Sequence, residues 1–173
     1  MICKSFENLS FFRGVSNPLQ SQEPKLYSTR KNRIPRDMPT EFHTDADIWF
    51  ESTFGTKYRT QSVFVSSNLF TATQYAHNKS LANVIRVIPI GPYKYCWSEK
   101  YNDLLSYVQY SDKLTIHEYL SLGNYTETNL DNASQTGNEV MLACDQYIGV
   151  PVNLLADNNS PKQTSHSEII LLK

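Results

Sequence analysis

Gln61-Ser62-Val63-Phe64-Val65-Ser66-Ser67-Asn68-Leu69-Phe70-Thr71-Ala72-Thr73-Gln74-Tyr75-Ala76 is the stretch on which the reading of this chain turns. Val63 to Val65 is a short apolar run rich in β-branched residues, which predicts a strand. Ser66 and Ser67 stand at its end. Asn68 or Thr71 then occupies a capping position ahead of Phe70, Ala72, Tyr75 and Ala76 at helical spacing. A strand that delivers two hydroxyls to the mouth of a helix sets small hydrogen-bonding side chains beside free backbone N–H groups, which suits a polar or anionic ligand. An ordinary strand–turn–helix with a serine cap has the same appearance, so the segment is judged by what surrounds it.

Upstream, Phe11-Phe12-Arg13-Gly14-Val15 predicts a first strand with an arginine inside it. A guanidinium in an apolar strand either reaches an edge and snorkels to water or meets an anion, and Gly14 beside it allows close approach to the backbone. Residues Ser16 to Pro39 read as loop, with four X-Pro pairs and a short strand at Leu26-Tyr27-Ser28-Thr29. Lys25 to Arg36 holds five basic residues and no acid, either a solvated loop or a place for a phosphate-bearing ligand. Thr44 or Asp45 is expected to cap a helix through Ala46, Ile48, Trp49, Phe50 and Phe54, closed by Gly55.

Downstream, Val84 to Ile90 predicts a strand, Gly91-Pro92 a turn, and Tyr93 to Trp97 another strand. Two amphipathic helices are expected near Glu99–Tyr110 and Leu114–Leu122, and a mobile loop from Asn124 to Asn138. Glu139 to Cys144 reads as a strand opening on a carboxylate, Tyr147 to Leu155 as an edge strand marked by Pro151, and Glu168 to Leu172 as a last buried strand. The pattern is α+β.

Composition sets the outer limits. The chain has 173 residues, enough for one domain (1–173), with 40% hydrophobic and 19% charged residues, a globular balance. No apolar run nears the roughly 18 residues that span a bilayer, and the first residues carry no secretion signal, so a cytoplasmic protein without membrane contact is expected. Cys3, Cys96 and Cys144 are too scattered for a disulfide framework, and neither they nor the four histidines have metal-ligand spacing. No glycine-flanked nucleophile elbow, phosphate loop or dinucleotide-binding glycine fingerprint is present. A net charge of −1 argues against a protein whose main affinity comes from neutralising phosphates.

An arginine in the first strand, a serine pair ending a middle strand and a glutamate opening a late one form an ordered set: Phe12-Arg13-Gly14, then Phe64-Val65-Ser66-Ser67-Asn68 with Ala72 and Tyr75-Ala76, then Asn138-Glu139-Val140-Met141-Leu142. In this order the chain resembles the mono-ADP-ribosyltransferases of the Arg–Ser–Glu type, known among bacterial and phage toxins. The resemblance implies a split β-sandwich with peripheral helices around an NAD cleft, and transfer of ADP-ribose from NAD to a macromolecular acceptor with release of nicotinamide. It implies Glu139 as the carboxylate that stabilises the sugar cation, Arg13 as the grip on the pyrophosphate, and Ser66 and Ser67 as the pair that orients the glutamate and closes the nicotinamide pocket. Gly14 then lines the NAD site and Phe70 faces the nicotinamide. NAD is a substrate, not a resident cofactor. The setting the resemblance implies is a toxin, as in toxin–antitoxin or phage-defence systems, with a neutralising antitoxin or immunity partner. The chemistry fits these residue types, because a carboxylate stabilises an oxocarbenium-like charge and a planar guanidinium binds phosphate bidentately.

Two departures bear on the acceptor. Members that modify arginine or asparagine generally carry a second Glu or Gln two positions before the glutamate, where this chain has Gly137. Asn68 stands where Ser or Thr is usual. The acceptor is therefore open between protein and RNA or DNA bases, and the basic Lys25–Arg36 segment is the feature that keeps nucleic acid in view. An NAD glycohydrolase, or an inactive interaction module on the same fold, are the competing readings. Glu168 in Ser167-Glu168-Ile169-Ile170 is an alternative to Glu139, and Arg30 or Arg33 to Arg13.

Overall fold

The structure, a computed structural model, describes residues 6–35 and 37–153. It is built around two long partners, β4 (Val84–Ser98) and β6 (Val140–Pro151), paired antiparallel from Ile85↔Pro151 to Trp97↔Val140. β1 (Phe12–Gly14) and β5 (Tyr125–Thr126) line the outer side of β4. β2 (Lys25–Ser28) and β3 (Val63–Val65) share the outer side of β6. The six strands make one antiparallel hydrogen-bonded sheet in a mixed α+β molecule.

Both long strands differ from the sequence expectation, which broke each in two. In β4, Gly91 takes φ +72° and the Gly91-Pro92 step is absorbed as a bulge between Ile90 and Tyr93, so the strand bends without ending. In β6, the exposed polar pair Asp145-Gln146 resembles a turn but lies within the ladder, Gln146 pairing with both Ile90 and Ser28.

Strand alternation feeds two cores. Val63, Val65, Ile85, Val87, Trp97, Val140, Leu142 and Tyr147 face one, closed by Phe6, Phe11 and α5 (Leu130–Thr136) through Leu130 and Ala133. Cys96 and Met141 face the other, beneath α1 (Thr40–Phe54), α2 (Tyr58–Gln61) and α4 (Ile116–Leu122), with Phe50, Tyr58, Tyr119 and Leu120 buried there. A smaller cluster joins α3 (Leu69–Gln74) to β1 and β4 through Ala72, Ala76 and Val84.

The helices carry further corrections. α1 begins at Thr40, a turn before the expected cap, and Thr44 sits inside it donating its hydroxyl to Thr40 O at 2.9 Å; Gly55 closes it in the left-handed region as expected. Between Glu99 and Tyr110 only a 3-10 turn forms, Leu105–Gln109, because Ser98 Oγ takes the N–H groups of Lys100 and Tyr101 and turns the chain away from β4. The segment expected as a mobile loop contains β5 and α5, with Leu130 and Ala133 buried. The expected strand at Glu168 to Leu172 lies outside the described residues. Among these residues no helix is long and apolar enough to cross a membrane.

Candidate functional site

The ends of β1, β3 and β6 meet at one point. Phe12 and Ser66 exchange backbone hydrogen bonds of 2.7 and 2.9 Å, and Val65 pairs with Val140, so the next positions along that ladder are Ser66 and Glu139. Ser66 is buried. Its Oγ donates to Gly137 O at 2.6 Å and accepts the Asn68 N–H at 3.0 Å, tying the turn before β6 to the start of α3. Asn68 caps α3 by accepting the Thr71 N–H at 3.1 Å. Gly137 has φ +75°, and an added Cβ would meet Asn68 Cβ at 3.0 Å, so the turn is cut close to the strand end. The serine thus fixes the backbone ahead of Glu139 and makes no bond to its carboxylate.

The carboxylate is held by a different residue. Arg59, on the single turn α2, donates from Nη1 to Glu139 Oε1 at 2.7 Å, with side-chain exposures of 9% for the arginine and 22% for the glutamate. The arginine is set from below by Asp47 of α1, buried, whose Oδ1 accepts the N–H groups of Arg59 at 2.7 Å and Thr60 at 3.3 Å. The Thr60 hydroxyl donates to the other oxygen. The Arg59 guanidinium lies 4.2 Å from the centroid of Phe64, and that of Arg33 lies 3.6 Å from the same ring. His43 joins through Nε2 to Thr60 Oγ1 at 3.2 Å. Burial and the charges of Arg59 and Arg33 hold its pKa below the ordinary value, against the pull of Asp47.

On its other side Glu139 meets the loop after β4, its N–H donating to Asn102 O at 2.7 Å. Asp103 follows and accepts the Ser106 N–H at 3.1 Å. Tyr75 is 44% exposed; burial raises its pKa, and the charges of Asp103 and Glu139 raise it further. Tyr125, packed on Trp49 and Phe50, has its pKa raised by burial first and then by the charge of Glu139.

The expected site residues are therefore only partly gathered. Ser66 and Glu139 adjoin. Ser67 turns toward α5, its Oγ donating to Ala133 O at 3.5 Å, and Phe70 is 73% exposed. Gly14 does allow close approach, but by protein: an added Cβ would stand 2.3 Å from Ala72 O and 2.5 Å from Ala76 N. Arg13 pairs with Ile85 one residue beyond Phe12, and the pleat turns its side chain to the opposite face from Phe12 and Ser66. Its charge, with that of Arg30, is felt at Tyr147, and no bond joins it to Glu139. Arg59, Asp47 and His43 were missed by the sequence reading. The signal was there: His43, Asp47, Phe50 and Phe54 fall at i, i+4, i+7 and i+11 on one helical stripe, so the buried face of α1 carries two polar residues that need partners.

Geometrically this is a partly exposed carboxylate at a strand head, anchored by one guanidinium. Such a group can accept a hydroxyl and stabilise a cation forming next to it. No family model, curated protein or solved structure matches this chain.

Proposed function

We propose that the chain is a mono-ADP-ribosyltransferase that cleaves the bond between nicotinamide and ribose in NAD and passes ADP-ribose to a macromolecular acceptor. The observation that carries this is Glu139 at the head of β6, partly exposed and held at 2.7 Å by Arg59, immediately beside the Ser66 turn. As nicotinamide leaves with the bonding electron pair, positive charge develops on the ribose C1′ and its ring oxygen. Glu139 stabilises that charge, and the acceptor nucleophile then bonds to C1′ and gives up its proton. Arg59 keeps the carboxylate aimed.

Arg13 takes the pyrophosphate in this reading. Among the described residues its side chain makes no hydrogen bond or ion pair, as suits a guanidinium kept for a ligand anion. Its side chain leaves β1 on the face opposite Phe12 and Ser66, so this role requires the dinucleotide to pass the strand end between Arg13 and Glu139. The described strands form one antiparallel sheet, and the split sandwich around an NAD cleft belongs to this proposal. A toxin or phage-related effector acting in the cytoplasm and held in check by a neutralising protein is the setting that goes with it.

The test is incubation of the purified chain with NAD labelled in the adenylate, with and without cell lysate. Nicotinamide release and label fixed to macromolecules are expected. Glu139→Gln, which keeps shape and the Arg59 contact, should lower release by about a hundredfold or more with an unchanged circular dichroism spectrum. In the same assay Arg13→Lys should raise the NAD concentration needed, because a point charge cannot replace the fork. Free ADP-ribose without labelled acceptor would make the chain a glycohydrolase. No release at roughly millimolar NAD, or full activity in Glu139→Gln, would end the proposal.

A further inference from the structure

β2 and the residues after it follow the outer edge of β6 from its Gly149 end toward Glu139. Lys25 to Ser28 pair with Gly149 to Gln146, Thr29 N–H donates to Asp145 O at 2.9 Å, Lys31 Nζ reaches Cys144 O at 3.4 Å, and Arg33 N–H donates to Thr60 O at 3.3 Å. Between residues 25 and 34 this edge carries Lys25, Arg30, Lys31 and Arg33 and no acid. Lys31 is matched by Asp145 at 2.8 Å, whereas Lys25, Arg30 and, from β1, Arg13 make no ion pair among the described residues.

Two rings lie beside Lys25 on this edge. Tyr27 and Tyr147 face each other in register and stack, with centroids 5.3 Å apart and planes at 10°. Lys25 Nζ lies 5.8 Å from the Tyr27 centroid. Burial raises the Tyr147 pKa while the charges of Arg13 and Arg30 act on it in the other direction. Lys25 and Arg30 are exposed and Tyr27 is half-buried at the rim. A lysine alone on an edge strand is an ordinary guard against strand addition. Four cations and no acid along one edge, Lys25, Arg30, Lys31 and Arg33, beside a stacked tyrosine pair are more than that guard needs, since like charges held along one edge repel and gain when an anion joins them.

We infer that this edge is the docking surface for the acceptor and that the acceptor is single-stranded nucleic acid, a base stacking at Tyr27 and the flanking phosphates meeting Lys25 and Arg30. The inference rests on the transferase reading, which makes whatever binds here an acceptor. Aromatic platforms flanked by cations hold unpaired bases without reading sequence, and a duplex offers no free base face to a tyrosine at a sheet edge. The net charge of −1 does not oppose it, because the attraction is local. From the tyrosines the same segment leads along β6 to Arg33, stacked on the ring that also carries Arg59 and hence Glu139.

The test is fluorescence anisotropy of labelled mixed-sequence single-stranded RNA and DNA with the full chain. Saturable binding is expected that weakens about tenfold between roughly 50 and 200 mM salt, as two to three phosphate contacts require. The double substitution Lys25→Glu with Arg30→Glu, on exposed side chains, should cost at least about tenfold, and Tyr27→Ala about tenfold. Nicotinamide release from NAD alone should be unchanged in the double variant. Absence of binding to either nucleic acid, or equal binding by the variants, overturns the inference. So does displacement of the oligonucleotide by NAD together with a raised NAD requirement in the double variant, which would assign the stack to the dinucleotide's own adenylate. Loss of this surface with intact Glu139-dependent nicotinamide release leaves the transferase standing. Oligonucleotide binding with no NAD turnover overturns acceptor docking and leaves a nucleic-acid-binding module.

Discussion

His43 shows how a single side chain can tie the site to the stability of the whole. It is 5% exposed, shares Thr60 with Asp47, and faces the Arg59 and Arg33 guanidiniums. Desolvation and those two cations depress its folded pKa below the unfolded value, so between the two values the unfolded chain binds more protons. Stability is then fully present above the unfolded pKa of about 6.5 and is lost as pH falls from there through the depressed folded value. The melting temperature should fall between roughly pH 7 and pH 5, and His43→Gln, which cannot titrate, should flatten that slope. An equal slope in the variant would remove His43 as the cause. The residue scale is also where the sequence was least legible. The nearness of Ser66 to Glu139 was implied by the resemblance alone, since motif order does not fix which strand ends meet. The partner of the Glu139 carboxylate could not be read from the sequence, since Arg59 lies on a single turn that no periodicity marks and is aimed by a buried aspartate from another helix.

Glycine shows at the scale of elements what the sequence could and could not tell. Gly14 and Gly91 look alike in sequence, each beside a strand, yet they serve different ends. Gly91 holds a bulge open in empty space, with φ +72° and nothing within 4 Å of an added Cβ. Gly14 lets α3 lie directly on β1, an added Cβ meeting backbone atoms at 2.3, 2.5 and 2.7 Å that no rotamer change can move. Gly91→Ala should therefore cost about 1 kcal/mol through its backbone conformation alone, and Gly14→Ala about 3 kcal/mol or more by forcing α3 away. Urea unfolding of the two variants measures the difference, and equal costs would mean that α3 yields freely. Elements with a strong local period were legible: β3, the Asn68 cap, the Gly55 stop and the helix ending at Leu122. Those set by tertiary context were not. The two halves of β6 join because β4 pairs with β6 on both sides of Asp145, and α5 forms because Leu130 and Ala133 find a core, although Asn129 before them sits at φ 60°.

Across the whole molecule, β6 makes the two cores interdependent. Val140, Leu142 and Tyr147 belong to one and Met141 to the other, as do Trp97 and Cys96 on β4, so neither core can lose its wall while the other keeps its own. A molecule divided by such a shared sheet is expected to unfold in one step, unlike one whose layers meet across a separable interface. The chain has 2 tryptophans, one in each layer: Trp97 is buried in the first core with its Nε1–H donating to Thr128 O at 2.8 Å, and Trp49 packs on the second with its Nε1–H donating to Ser121 Oγ at 3.2 Å. Trp49→Phe leaves a reporter of the α5 side alone, and its fluorescence can be compared with far-ultraviolet circular dichroism, which sees both layers. Coincident urea midpoints, and equal slopes against denaturant, are expected. A Trp97 transition separated from the loss of helix would mean that the α1–α4 layer melts on its own. Glu139 would then lose the Arg59 contact, which comes from that layer, while the Ser66 bond would still hold the turn ahead of it.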